Sequence, residues 1–190
     1  MTVRLLAGLA LAALLAGCGG GDPAAAPDRT ADGAAVVLRA ATLHPGEPVP
    51  APVGTPLITV TGKVGAATQG GTLALDRRTL ARLTQVRLTT YEPWVKRDLS
   101  FRGVWLTDLL ALAGATGVTE VRVSALDDYE VGFDAAELRA GGILLATSDG
   151  DGADIPIDDG GPTRIVFQRG LKAGVNADQW IWSLRSIEVR

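Results

Sequence analysis

The sequence predicts a mixed α+β fold in a single domain. From Leu57 onward, short segments such as "LITVTGKV", "QVRLTTYE" and "TEVRVSAL" alternate apolar and polar residues with a period of two. These strand-like segments outnumber the helix-like ones, which are short and follow no βαβ rhythm. The stretch 57–190 is also long enough to bury one sizeable core, and no internal repeat divides it.

Taken in order, the chain begins with "MTVRLLAGLALAALLAGCGGG". One basic residue, Arg4, precedes an apolar and small-residue run from Leu5 to Gly17. That run falls short of the roughly 20 residues a membrane span needs and suits a signal-peptide core. Leu15-Ala16-Gly17-Cys18 resembles the lipobox of bacterial lipoproteins. The resemblance implies cleavage after residue 17, acylation of Cys18, and a partner in the lipid bilayer. It also implies a cell-envelope location facing the periplasm, and Gly19 directs the expectation to the outer rather than the inner membrane. Several acyl chains on one residue anchor stably where one chain does not.

Residues 18–56 are expected to form a flexible tether. "GGGDPAAAPDRTADGAA" has few large apolar residues to offset its ordering entropy, and "HPGEPVPAPVGTP" is proline-rich and extended. Between them, "AVVLRAATL" could supply one short strand. His44, the single histidine, would make a solitary metal ligand on a mobile segment, so no metal site is assigned to it.

Within 57–190, "LITVTGKV" is the first strand of the domain. "TLALDRRTLARL" reads as a strand followed by a helix that Asp76 caps, with Leu80 and Leu83 on one face. "QVRLTTYE" points Val86 and Leu88 to one side, and "LSFRGV" is the next strand. "VWLTDLLALAG" is an amphipathic helix through Leu106, Leu109, Leu110 and Ala113 that stops at Gly114. "TEVRVSAL" and "YEVGF" are strands joined by a turn at Asp127-Asp128. "DAAELRAGG" is a short helix with an Asp cap and a glycine stop. "ILLATS" and "TRIVFQ" are strands, and "WIWSLRSIEVR" is a final strand or strand pair.

Composition excludes several function classes. The 18 basic and 21 acidic residues give a net charge of −3, more negative once Arg4 is removed, and no basic block exists to track phosphates. Nucleic acid is therefore not an expected partner. With Cys18 assigned to lipid, no thiol remains for a disulfide, redox pair or metal site. Walker A, dinucleotide and nucleophile-elbow motifs are absent. The acidic loop "SDGDGADIPIDDGGP" fails the EF-hand spacing, since Ala153 stands two places after Asp151 and no Glu closes the loop. Asp127 and Asp128 are adjacent, so alternation on a strand would aim them apart and spoil a hydrolytic pair.

A series of motifs then occurs in a telling order. It runs from a strand ending at Gly62, through "LALDRRTLARL", "TYEPW", Gly103-Val104 and "LTDLLALAG". It continues through "ALDDY", "LLATSDG" and "GPTRIV", and closes on "WSLRSIEV". In this order the segment from Leu57 to Arg190 resembles the sulfite-oxidase-like, molybdopterin-binding domain family. The resemblance implies a molybdopterin cofactor whose metal is held by one cysteine, in a pattern like C-V-E-x-W. Here the spacing reads Thr90-Tyr91-Glu92-Pro93-Trp94, with Thr90 at the cysteine position.

A thiolate is a soft anionic donor suited to such a metal, whereas a threonine hydroxyl is hard and stays protonated. The same resemblance places three residues at the cofactor pocket. Thr90 would hydrogen-bond a ligand. Tyr129 would stand in the turn beside the pocket. Arg164, in "GPTR", would fork onto a pterin phosphate or another anion, or else pair with a nearby carboxylate. Trp94, Trp105, Trp180 and Trp182 read as core and rim aromatics.

No catalytic or metal-binding residue is assigned, and no cofactor is assigned beyond the molybdopterin that the resemblance implies. The sequence points to a lipid-anchored envelope module that binds a small anionic ligand or a partner protein without redox chemistry. The second reading it leaves open is a molybdopterin-dependent oxidoreductase, of sulfite oxidase or sulfoxide reductase type, with atypical cofactor ligation.

Overall fold

In the computed structural model, residues 35–190 are described, apart from Gln69 and Val175. The expected lipid attachment at Cys18 and the signal peptide lie outside the described residues. Alternation sets most of the architecture. In β4 (Gln85–Glu92), Val86, Leu88, Thr90 and Glu92 are all buried while the residues between them face outward. β4 pairs antiparallel with β5 (Arg97–Trp105) through a short turn. On the other side of β5 lies β8 (Ile143–Asp149), followed by β9 (Arg164–Phe167). With β1 (Ala35–Arg39) beyond β4, they make a five-stranded antiparallel sheet ordered β1-β4-β5-β8-β9.

A second sheet is ordered β3-β2-β10-β6-β7. Its strands are β2 (Ile58–Gly62), β3 (Leu73–Leu75), β6 (Glu120–Ala125), β7 (Glu130–Asp134) and β10 (Leu184–Val189). β10 runs parallel to β2 on one side and antiparallel to β6 on the other. Val60, Val121, Val123, Phe133 and Ile187 of this sheet, with Val104, Leu144 and Ile165 of the first, belong to one buried core. The α+β expectation is met.

The helices are short, and each has a visible reason for its limits. α1 (Arg77–Leu80) starts at Asp76, whose carboxylate accepts the Thr79 amide at 2.7 Å. It ends in tightened i→i+3 bonds, from Arg82 to Thr79 and from Leu83 to Leu80, so only one turn is regular. α2 (Leu106–Leu112) buries Leu106, Leu109, Leu110 and Leu112. It stops before Gly114, which adopts a φ of +65° where the backbone of Gly65 approaches closely. α3 (Ala135–Ala140) opens on a complete capping box between Asp134 and Glu137. Gly103, in the expected Gly-Val pair, lies where a Cβ would come within 2.0 Å of the Leu145 carbonyl, so β5 and β8 seat there only with glycine.

One expectation needs correction. The described part of the 18–56 tether does not hang free. Ala35–Arg39 forms β1 on β4, the Thr42 and Leu43 amides bond the Arg82 carbonyl, and Leu43 is buried in the core. Its valines and leucines supply apolar contact that the composition of 18–56 as a whole conceals. The closing segment takes the single-strand form of the expected strand or strand pair, and Ser183, with a φ of +50°, separates Trp180–Trp182 from the strand that opens at Leu184. Trp180–Trp182 bridges the two sheets. Ile165 of β9 donates to the Ile181 carbonyl at 3.0 Å, and the Leu184 amide of β10 donates to Thr163 at 2.8 Å.

Asp76 also joins the N-terminal segment to the domain, for its second oxygen accepts the Val53 amide at 3.0 Å. That bond, against the opposing effect of burial and with help from the Thr79 amide, holds the carboxyl below its usual 3.8. A carboxylate with a depressed folded pKa adds stability above its unfolded pKa and loses it as pH falls through the folded one. Asp76→Ala is therefore expected to cost about 1 kcal/mol at neutral pH, a typical loss for an N-cap. Urea denaturation should show the difference from wild type shrinking as pH falls from 3.8 through the lowered folded pKa, where the wild-type carboxyl becomes protonated too.

Candidate functional site

The inward face of β4 supplies the first two groups. Glu92 is the last residue of the strand and is 0 % exposed. Its Oε2 accepts the Val95 amide at 2.6 Å and its carbonyl accepts the Lys96 amide at 2.8 Å, which closes the β4–β5 turn. Its Oε1 accepts a hydrogen bond from Arg164 at 2.5 Å. Arg164 opens β9 and is 2 % exposed, and a second bond runs from its Nη1 to the Asp159 carbonyl at 3.0 Å.

The guanidinium lies between two rings, 5.1 Å from the centre of Phe101 and 4.5 Å from that of Trp182. Burial lowers its pKa from the ordinary guanidinium value, and Glu92 opposes that effect. An arginine in this setting stays charged. The expected choice for Arg164, between holding an anion and pairing with a carboxylate, is thus met by a carboxylate. The Arg164 Nε–H and the Trp182 Nε1–H are buried without a protein acceptor.

Thr90 lies two residues before Glu92, on the same face, and is 2 % exposed. It borders a hollow of about 250 Å³ formed with Trp180 and the loop from Phe167 to Gly174. In that loop Arg169 is engaged by Asp98 at 2.6 Å. Tyr129 stands in the β6–β7 turn, where Asp127 accepts the Tyr129 amide at 3.2 Å, the self-bonded turn that local Asp chemistry favours. Asp128 is paired with Arg185. Asp127 and Asp128 are therefore turn residues and not neighbours on a strand.

The structure does not bring the three expected pocket residues into one cavity. Thr90 lines the hollow just described, Arg164 one of about 200 Å³, and Tyr129 a cleft of about 460 Å³. Two tryptophans are the shared walls. Trp180 faces both the Thr90 hollow and the Tyr129 cleft, and Trp182 both the Arg164 hollow and the cleft. Trp180 is also core, edge-on to Phe167 at 5.3 Å, while Trp94 is 53 % exposed at the cleft rim and Trp105 packs partly buried against the core.

Glu92 is legible in the sequence only as a motif residue, and its bond to Arg164 is not. The available signal was its period-two phase with Val86 and Leu88, which forces a carboxylate inward and demands a buried partner. Among the described residues no group of three or more His, Cys, Asp or Glu could hold a metal ion. In the acidic loop, Asp149 accepts the amides of Asp151, Gly152 and Ala153, which is hairpin chemistry.

The model of the family described as "Oxidoreductase molybdopterin binding domain" matches residues 75–190. The chain belongs to that family. A solved structure of similar fold is the sulfane dehydrogenase SoxCD from Paracoccus pantotrophus, with a TM-score of 0.55 and 16 % identity. The match covers 70 % of this chain but only 37 % of that one, so this chain spans a little over a third of its length. No curated protein matches the chain.

The family's cofactor can be tested against the donors present. Where the resemblance places a thiolate, Thr90 offers a neutral, hard hydroxyl, and Arg164 and Arg169 already pair with carboxylates. These donors do not fit the metal centre.

Breaking the buried pair should be costly and replacing it much less so. Glu92→Ala is expected to destabilise by about 3–5 kcal/mol, because it leaves a buried guanidinium without a counter-charge. The Glu92→Leu/Arg164→Met double variant should recover most of that loss in urea denaturation. Equal losses for single and double variants would mean that packing, not charge, decides stability here.

Proposed function

We propose that this protein is a lipid-anchored module of the cell envelope that uses a molybdopterin-binding-type fold to bind a ligand or partner without redox chemistry. One observation carries the reading: buried Thr90 occupies the position that the resemblance gives to the metal-binding cysteine. A hydroxyl there can hold a ligand by a hydrogen bond but cannot donate charge as a thiolate does. Membership of the family supports a second reading, a molybdopterin-dependent oxidoreductase with atypical ligation.

Elemental content separates the two. The full chain, expressed in a host that makes the molybdenum cofactor and solubilised gently, is expected to carry molybdenum far below one atom per chain by mass spectrometry. Fluorescence of released pterin should be low as well. Near-stoichiometric molybdenum would overturn the non-redox reading.

The anchor has its own test. Acylation at Cys18 should appear as a mass increase on the N-terminal peptide, and Cys18→Ala should move the protein from the membrane to the soluble fraction. An unmodified Cys18 would overturn the anchor and leave the binding reading untouched.

A further inference from the structure

The cleft beside Tyr129 has a composition the family resemblance does not account for. Its walls are Trp94, from the β4–β5 turn, Tyr129, from the β6–β7 turn, and Trp180 and Trp182, from the bridge between the sheets. Trp94 is 53 % and Tyr129 47 % exposed, so two large aromatic side chains that line one hollow are open to solvent. The Tyr129 hydroxyl donates to the Asp178 carbonyl at 3.1 Å and braces the two loops that form the rim. The cleft, at about 460 Å³, is within the size range of small-molecule sites.

The charge on this rim has one sign. Asp127 and Asp178 line the cleft, and no Lys, Arg or His does. Among the described residues, the only bond to the Asp127 carboxylate is the Tyr129 amide, and the Asp178 carboxylate has no partner. The nearby Arg185 is paired with Asp128. Aromatic faces attract cations through their quadrupole, and carboxylates at the edge of the same hollow add to that attraction. An anion would meet repulsion there. The anionic ligand expected from the sequence rested on Arg164, whose charge Glu92 balances in a different hollow.

We propose that the cleft formed by Trp94, Tyr129, Trp180 and Trp182 binds a small organic cation of the alkylated ammonium class. Its alkyl groups lie against the rings, and its charge faces Asp127 and Asp178. The inference rests on the binding-module reading and supplies the ligand class for it.

The test is calorimetric titration of the detergent-solubilised full chain with choline, with sodium chloride at equal ionic strength as reference. The neutral carbon analogue 3,3-dimethylbutan-1-ol has the same shape without the charge. Choline should bind saturably, and the analogue about 10-fold more weakly or not at all. Trp94→Ala should weaken choline binding about 2- to 5-fold, the contribution of one exposed aromatic face, and Trp94→Phe should restore part of it. Asp178→Asn should weaken it as well, with unchanged thermal unfolding as proof that the fold persists. Equal affinity for choline and the neutral analogue would overturn the proposal, as would no saturation above the sodium reference. Either failure in a molybdenum-free protein leaves the binding-module reading standing. A molybdenum-loaded protein overturns that reading whatever choline does.

Discussion

The buried contact between Glu92 and Arg164 is the constraint around which the site end of the molecule is arranged. It joins the end of β4 to the start of β9, strands at different positions in one sheet, across 72 residues of sequence. Glu92 simultaneously fixes the β4–β5 turn through Val95, which places Trp94 on the cleft rim. Arg164 simultaneously fixes Trp182 through ring contact, and Trp182 divides the cleft from its neighbour. Desolvating two charges costs several kcal/mol per ion, so such a pair contributes to geometry more surely than to net stability. Its effect here is to hold two aromatic walls in register from opposite sides.

A cofactor-binding version of the domain needs a soft anionic donor on β4 and free positive charge for phosphate. In this chain the donor position is a threonine, and Arg164 and Arg169 are held by carboxylates, while Arg97 lines the same hollow as Arg164. Beside the hollows of Thr90 and Arg164 lies an aromatic cleft whose lining carries two aspartates.

Much of the scaffold was legible because single strands announce themselves by alternation. β4, β6 and β10 each follow a period of two, and α2 follows the spacing of Leu106, Leu109 and Leu110. Alternation says which way a residue faces but not which strand it meets, so the division into two sheets could not be read. Nor could the partnership of Glu92 with Arg164, which depends on that division. Trp180–Trp182 looked like strand because Trp-Ile-Trp alternates with its neighbours, yet the positive φ at Ser183 turns the segment into a bridge. At residues 35–56 the segment "AVVLRAATL" signals a short strand, but the composition of the longer window hides its pairing with β4 and the burial of Leu43. The cleft is assembled from three distant loops, and no local pattern marks such a site.

The place of β10 in its sheet has a consequence for how the protein is made. β10 is the last strand in sequence, yet it lies at the centre of its sheet, flanked by β2 and β6. Until it emerges, β2 and β6 each lack a neighbour, and non-local pairings of this kind form late. Completion of this sheet therefore waits on β10, which must insert between β2 and β6. The same topology makes the C-terminal end unforgiving. Proteolytic trimming there would remove the strand that holds the other four together, where trimming most proteins merely frays an edge.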